Sequence, residues 1–255
     1  MPTIETLTYR DVAKTIDHSL LRPELDDVFV ADGCRLAAEY DVASVCVRPA
    51  DVLRARAILA GTDVAVGTTI GFPHGNHRTQ TKVFEAECAL EDGATELDMV
   101  LQIGALKAGR DGDVQADIAA IVEVAHAAGA LVKVIFENAY LTDDEKVRAC
   151  RITEAAGGDF VKTSTGFGPS GATHEDLILM RRSVSPHVQV KAAGGVRTLD
   201  ALIDVMALGV KRVGATATKA MLDGFRARKG GAVATAAGAT PAGPGSAAAD
   251  GGMGY

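Results

Sequence analysis

The chain has no tryptophan, and Phe, Trp and Tyr together make up only 4% of its 255 residues. Proteins that bind single-stranded nucleic acid stack bases on aromatic side chains, so this composition does not favour that function. A basic excess is also missing, because 33 acidic residues outnumber 26 lysines and arginines and give a net charge of -7. We therefore expect no nucleic-acid partner, although backbone amides could still bind a small phosphorylated ligand.

Cysteine is scarce as well, with four residues and no Cys-x-x-Cys pair, which argues against a zinc cluster or a disulfide scaffold. His74 and His77 lack an evident third ligand, so no catalytic metal is predicted. No apolar run approaches the ~18 residues needed to cross a bilayer, and no signal peptide is recognisable. The sequence therefore predicts a cytoplasmic protein that needs no cofactor and has no membrane partner.

Residues 229–255 are rich in Gly and Ala, have almost no side chains to bury, and are predicted to be a flexible tail. Residues 1–228 are predicted to be one domain in which short apolar segments alternate with amphipathic helical ones. The predicted strands are 15–20, 43–48, 64–71, 95–101, 131–137, 159–164, 188–193 and 211–215. The predicted helices are 27–39, 49–59, 79–91, 114–127, 143–155, 174–182, 199–208 and 216–226.

Eight βα units in a chain of this length predict an α/β protein with the (β/α)8 TIM-barrel fold. A doubly wound open sheet is the alternative fold, but the Gly-x-Gly-x-x-Gly turn often found after its first strand is missing.

Charged residues alternate with apolar ones in the later strands, so the charged side chains should point into the barrel. Lys162 and Lys191 lie near the carboxyl ends of adjacent strands, where barrel enzymes have their active sites. Burial and mutual repulsion should lower the pKa of one of these lysines and make it a nucleophile able to form a Schiff base. An ion-pair network with Asp98 and Asp17 is the structural alternative.

Two further inward residues have predicted roles. Asp98 faces the lysines across the barrel, and a carboxylate there could accept a hydroxyl proton directly or through a water molecule. Lys133 should lie deeper in the barrel and pair with Glu137 or Asp98.

Glycine-containing loops follow the last three strands, at Gly166, at Gly194-Gly195 and at Gly214 to Thr216. In this fold, the loops after strands seven and eight and a helix N-terminus commonly form a phosphate site. The sequence therefore predicts a small phosphorylated ligand at the carboxyl end of the barrel.

Four segments of the chain, namely Asp17-His18, Glu96 to Asp98, 159–166 and 190–195, resemble the deoxyribose-phosphate aldolase family over about residues 10–226. The resemblance implies a metal-independent barrel enzyme that reversibly cleaves 2-deoxy-D-ribose 5-phosphate to acetaldehyde and glyceraldehyde 3-phosphate. It also implies that Lys162 is the nucleophile, that Lys191 lowers its pKa, and that Asp98 transfers protons. The expected substrate contacts are Asp17, Cys46, Thr163, Gly166, Gly194, Gly195, Gly214 and Thr216. The segment 214–217 departs from the family, since many members have two serines there.

A phosphosugar isomerase that uses no metal and a non-catalytic phosphate binder on the same barrel are the functional alternatives. We also expect a homo-oligomer, with a dimer favoured. The tail is long enough for Tyr255 to reach the catalytic mouth transiently, where its phenol could carry a proton.

Overall fold

The computed structural model describes residues 2–235, with side chains up to residue 230. Its strands are β1 (Ile16–Leu20), β2 (Ser44–Val47), β3 (Ala65–Ile70), β4 (Glu96–Val100), β5 (Leu131–Ile135), β6 (Phe160–Lys162), β7 (Gln189–Ala193) and β8 (Arg212–Ala215). Each strand pairs in parallel with the next, and β8 pairs with β1, which closes the barrel. The predicted (β/α)8 fold is confirmed.

Ten α-helices are present in residues 2–235, and most of them surround the barrel. They are α1 (Tyr9–Ala13), α2 (Asp27–Glu39), α3 (Val52–Leu59), α4 (Thr79–Glu91), α5 (Ile103–Lys107), α6 (Asp111–Ala127), α7 (Asp143–Ala155), α8 (His174–Ser183), α9 (Leu199–Ala207) and α10 (Thr218–Thr235). None of the helices in this part of the chain is long and apolar enough to cross a membrane.

The structure departs from the sequence-based expectation at three helices. Helices α1 and α5 have five residues each, too few for a helical repeat to stand out in the sequence. Helix α10 continues to Thr235, past the predicted end at residue 226 and into the segment expected to be a tail. The prediction for Tyr255 concerns a residue outside the part of the chain that the structure describes.

The main core lies between the barrel wall and the helices. Side chains alternate along each strand, so Leu97 and Met99 of β4 are fully buried in this outer core while Asp98 points into the barrel. The register then aligns the inward residues of neighbouring strands, with Asp98 opposite Lys133 and Lys162 opposite Lys191. Strand pairing thus places the charged side chains together inside the barrel.

Several of the helices that follow the strands have an N-terminal residue whose side chain caps the helix. Thr142 caps α7 through a reciprocal pair of hydrogen bonds with Glu145. Thr173 and Thr198 cap α8 and α9 by accepting hydrogen bonds from backbone amides of the first turn. These caps fix where each loop ends, which limits the freedom of the loops that surround the mouth of the barrel.

Candidate active site

Lys162 and Lys191 meet at one carboxylate inside the barrel. The Nζ atom of Lys162 lies 2.7 Å from Oδ2 of Asp98, and the Nζ atom of Lys191 lies 2.8 Å from the same oxygen. Lys191 also forms an ion pair of 2.5 Å with Asp17. All four side chains are at most 3% exposed, so these contacts lie in a medium of low polarity.

These residues belong to a larger buried network, in which Lys133 pairs with Asp98, one of its two predicted partners, and not with Glu137. Lys133 contacts Glu96 at 2.6 Å and Asp98 at 2.9 Å, and its ion pairs do not include Glu137. Arg212, which the sequence analysis did not single out, contacts Asp17 and Glu96 at 2.5 and 2.7 Å. The network members are Asp17, Glu96, Asp98, Lys133, Lys162, Lys191 and Arg212.

Four cationic and three carboxylate side chains make up this network. If all were ionised, one positive charge would be left without a carboxylate in the barrel interior, which is unfavourable at low polarity. The loss of one proton from a lysine would balance the charges. The composition of the network therefore favours one neutral lysine.

The pKa shifts indicate which lysine that is. Burial lowers the pKa of Lys162, and the charge of Lys191 adds to this effect, so the pKa stays below its usual value despite the attraction of Asp98. Burial acts on Lys191 too, but Asp17 and Asp98 outweigh it and raise the pKa of Lys191. The lysines around Asp98 hold the pKa of its carboxyl well below the usual range against the opposing effect of burial. Lys162 is therefore the lysine that most readily becomes a neutral nucleophile.

A cavity of about 830 Å³ opens above these residues at the carboxyl end of the barrel. The predicted site residues that line it are Asp17, Cys46, Lys162, Gly166, Lys191, Gly194, Gly195, Gly214 and Thr216. Asp98 is buried beneath the lysines. Thr163 does not line the cavity either, since its hydroxyl bonds the Ala193 carbonyl at 3.2 Å and joins the ends of β6 and β7.

The paired glycines have backbone conformations that suit a binding loop. Gly194 and Gly195 have φ angles of +75° and +92°, which residues with a side chain rarely adopt. Gly171 packs against Gly194 so closely that a Cβ atom there would lie 2.4 Å from the Gly194 carbonyl carbon. This close packing brings the loop after β6 against the loop after β7 at the edge of the cavity.

Sequence reasoning assigned no role to His18, although it lines the cavity. Its Nδ1 atom lies 2.8 Å from Oγ1 of Thr218, the first residue of α10. Burial lowers the pKa of His18 to about 4, so its ring is neutral near pH 7. The contact ties β1 to the start of the helix that follows Gly214 and Thr216.

Cys46 is a buried thiol rather than a thiolate. Burial raises its pKa to about 11, and Asp98 adds to the rise. The side chain is therefore a weak nucleophile near pH 7. In the part of the chain covered by the structure, no group of three or more His, Cys, Asp or Glu side chains could hold a metal ion.

An eight-stranded barrel with an inward lysine of lowered pKa beside a second lysine and a carboxylate is the arrangement expected of an aldolase of the Schiff-base class. The comparisons with known proteins agree. Residues 12–233 match the model of the "DeoC/LacD family aldolase", and the chain belongs to this family.

Individual relatives are similar over nearly their whole length. A deoxyribose-phosphate aldolase from Rhodopirellula baltica is 51% identical over 222 residues, covering 87% of this chain and 92% of the relative. One from a Geobacillus species is 47% identical over 214 residues, covering 84% of this chain and 96% of the relative. A solved structure of deoxyribose phosphate aldolase from Aeropyrum pernix, described as tetrameric, superposes with a TM-score of 0.81 at 28% identity. The match covers 87% of this chain and 93% of that one.

Proposed function

We propose that the protein reversibly cleaves 2-deoxy-D-ribose 5-phosphate to acetaldehyde and D-glyceraldehyde 3-phosphate through a Schiff base on Lys162. The observation that carries this proposal is the contact of Lys162 and Lys191 with one oxygen of Asp98 at the floor of the cavity. A nucleophile and a proton acceptor thereby lie within hydrogen-bond distance of each other.

The first step is formation of the imine. Neutral Lys162 attacks the aldehyde carbon of the open-chain sugar and forms a carbinolamine. Uptake of one proton from solvent and loss of water then leave a protonated imine. Lys191 remains charged because Asp17 and Asp98 raise its pKa, so it continues to disfavour the charged form of Lys162. Lys191 thus assists the first step electrostatically.

The second step breaks the carbon–carbon bond. Asp98, acting through a water molecule, accepts the proton of the hydroxyl group two carbons from the imine carbon. The electrons of that O–H bond form the new carbonyl, and those of the carbon–carbon bond move to the protonated imine and give an enamine. Protonation of the enamine carbon and hydrolysis release acetaldehyde and restore the Lys162 amine.

Backbone groups supply the phosphate site in this proposal. Gly166, Gly194, Gly195 and Gly214 line the same cavity as Lys162, and α10 begins just beyond Thr216. Amides at a helix N-terminus and in a glycine-rich loop bind phosphate without a basic side chain. This arrangement is compatible with the absence of the serines that many family members have in segment 214–217.

The test is turnover of deoxyribose 5-phosphate with separate detection of the two products. We expect equal amounts of acetaldehyde and glyceraldehyde 3-phosphate, and none from Lys162→Met. Lys146→Met is the matched control, because Lys146 is a buried lysine paired with Asp176 on the outer helices. Conversion to an isomeric sugar phosphate without acetaldehyde would favour an isomerase, and binding without any turnover would favour a phosphate-binding protein.

We also propose that the protein is cytoplasmic and forms a homo-oligomer, with a dimer favoured. Phe29 on α2 and Leu53 on the adjacent α3 are 56% and 60% exposed, which would suit a contact between subunits. The tetrameric relative supports assembly in general and leaves the number of subunits open. Light scattering coupled to gel filtration measures that number directly, and a monomer at all concentrations would refute the proposal.

A further inference from the structure

A buried carboxylate just beyond the end of β5 plays no part in the reaction outlined above. Glu137 is 2% exposed and has a φ angle of +55°. This left-handed conformation is unfavourable for a residue with a side chain and persists only where its surroundings hold it. Hydrogen bonds on both sides of Glu137 hold the backbone in this conformation. Phe136 N–H donates to the Lys162 carbonyl at 3.0 Å, and Asn138 N–H donates to the Thr163 carbonyl at 2.9 Å.

The left-handed turn directs the Glu137 side chain toward the loop that follows Lys162. Its Oε2 atom accepts hydrogen bonds from the backbone N–H of Thr165, at 3.2 Å, and from the Thr165 hydroxyl. The hydroxyl oxygen of Thr165 in turn accepts a hydrogen bond of 2.9 Å from the backbone N–H of Phe167. One carboxylate therefore determines the path of the chain from Thr165 to Phe167.

Gly168 shows how closely this loop fits the carboxylate. A Cβ atom at Gly168 would lie 2.7 Å from Cδ of Glu137 and 2.8 Å from Oε1. The loop therefore rests directly on the carboxyl group and has no room for a side chain at this position.

The loop held in this way forms one wall of the active-site cavity. Thr165, Gly166 and Phe167 line the cavity, whereas Glu137 is not among its lining residues. Phe167 also packs edge-on against Phe72, with 5.3 Å between ring centroids, which connects the loop to the end of β3. Any effect of Glu137 on the substrate must therefore pass through this wall.

We propose that Glu137 is a positioning residue, whose carboxylate holds the loop 165–168 in the shape that binds the substrate. This inference rests on the proposed function, since the loop matters only if the cavity binds the sugar phosphate. Glu137 therefore contributes to binding of the substrate in the ground state. It does not affect the reactivity of the Lys162 amine, which depends on Asp98 and Lys191.

Three variants test the proposal. Glu137→Leu removes both acceptor oxygens, Thr165→Val removes only the hydroxyl, and Glu137→Gln keeps one acceptor oxygen. For the first two, we expect the KM for deoxyribose 5-phosphate to rise about tenfold, the scale typical of lost supporting contacts, while kcat changes less. The KM of Glu137→Gln for deoxyribose 5-phosphate should stay close to that of the wild type. Because the two residues act as a unit, the double variant should be no worse than Glu137→Leu alone.

Asp176→Leu is the matched control, because it removes a buried carboxylate from an ion pair between α7 and α8. It should lower the melting temperature without changing KM. Borohydride trapping of acetaldehyde should remain normal in every variant. An unchanged KM in Thr165→Val, which leaves the left-handed residue intact, would overturn the positioning role even if Glu137→Leu fails to fold. Failure of the wild-type enzyme to turn over the sugar phosphate would instead refute the proposed function.

Discussion

Lys162 and Lys191 face each other across β6 and β7, and their Nζ atoms both contact a single oxygen atom of Asp98. The two lysines differ in their other partners, because Lys191 also contacts Asp17. That difference accounts for opposite pKa shifts in two neighbouring side chains of the same type. The shared oxygen keeps the lysines close enough for the charge of one to act on the other.

Replacement of Lys191 by methionine should show this coupling in the pH profile. The variant lacks the charge that helps keep the pKa of Lys162 low, so Lys162 holds its proton to higher pH. We expect kcat/KM at pH 7 to fall about tenfold or more, as expected when the neutral fraction of an amine shrinks. Part of the loss should be recovered at higher pH. An equal loss at every pH between 6 and 10 would mean that Lys191 takes part in the chemistry directly.

Replacement of Asp98 by asparagine should separate imine formation from bond cleavage. The amide cannot accept the hydroxyl proton, so cleavage should slow about a hundredfold or more, within the range for a lost general base. Loss of the negative charge also removes an influence that raises the pKa of Lys162, so the amine should still form an imine. Rapid-quench measurement of the two steps checks this. Equal slowing of both would contradict the assigned role of Asp98.

A valine at Gly195 should impair recognition of phosphate in particular. The side chain would obstruct close approach of the backbone, and loss of one hydrogen bond to a charged group corresponds to about tenfold in KM. We expect the KM for deoxyribose 5-phosphate to rise by at least that factor and the KM for deoxyribose to change less. Gly61→Val is the matched control, since Gly61 also has a positive φ, +81°, but nothing lies within 4 Å of its Cβ position. Similar losses on both substrates would place the phosphate elsewhere.

His18 should make the fold sensitive to acid. Its pKa is lowered by burial from 6.5 to about 4, so the unfolded chain binds a proton first as the pH falls. The stability that this histidine contributes is complete above pH 6.5 and is lost between pH 6.5 and 4.

His18→Asn removes this ionisation, and urea unfolding at pH 7 and pH 5 measures the consequence. Between pH 7 and pH 5, the free energy of unfolding of the wild type should fall by about 2 kcal/mol more than that of the variant. His126→Asn, at a histidine whose side chain is 43% exposed, is the control. Identical losses in His18→Asn and the wild type would contradict the assignment.

The parts of the site that the sequence predicts are those set by strand periodicity. Lys162 and Lys191 occupy inward positions on successive strands, so alternation and order along the chain suffice to bring them together. The same reasoning identified Asp98 as their partner. The sequence also places Asp98 at the end of strand four and Asp17 at the end of strand one. This placement is wrong, because both residues lie inside β4 and β1.

The parts that could not be predicted depend on side-chain reach and on single backbone angles. Arg212 begins β8, and its long side chain extends to Asp17 and Glu96, which alternation alone does not reveal. Lys133 and Glu137 share a face by periodicity, and their pairing was therefore a reasonable expectation. The left-handed turn at Glu137 directs its carboxylate toward Thr165 instead, and no pattern in the neighbouring sequence predicts that turn.

Borohydride trapping with acetaldehyde, followed by peptide mass mapping, tests the central claim most directly. Reduction of the imine should leave one ethyl group on the peptide that contains Lys162, and Lys162→Met should give no adduct. An adduct on Lys191 would reverse the roles of the two lysines. The absence of any adduct from active enzyme would contradict a mechanism through a Schiff base.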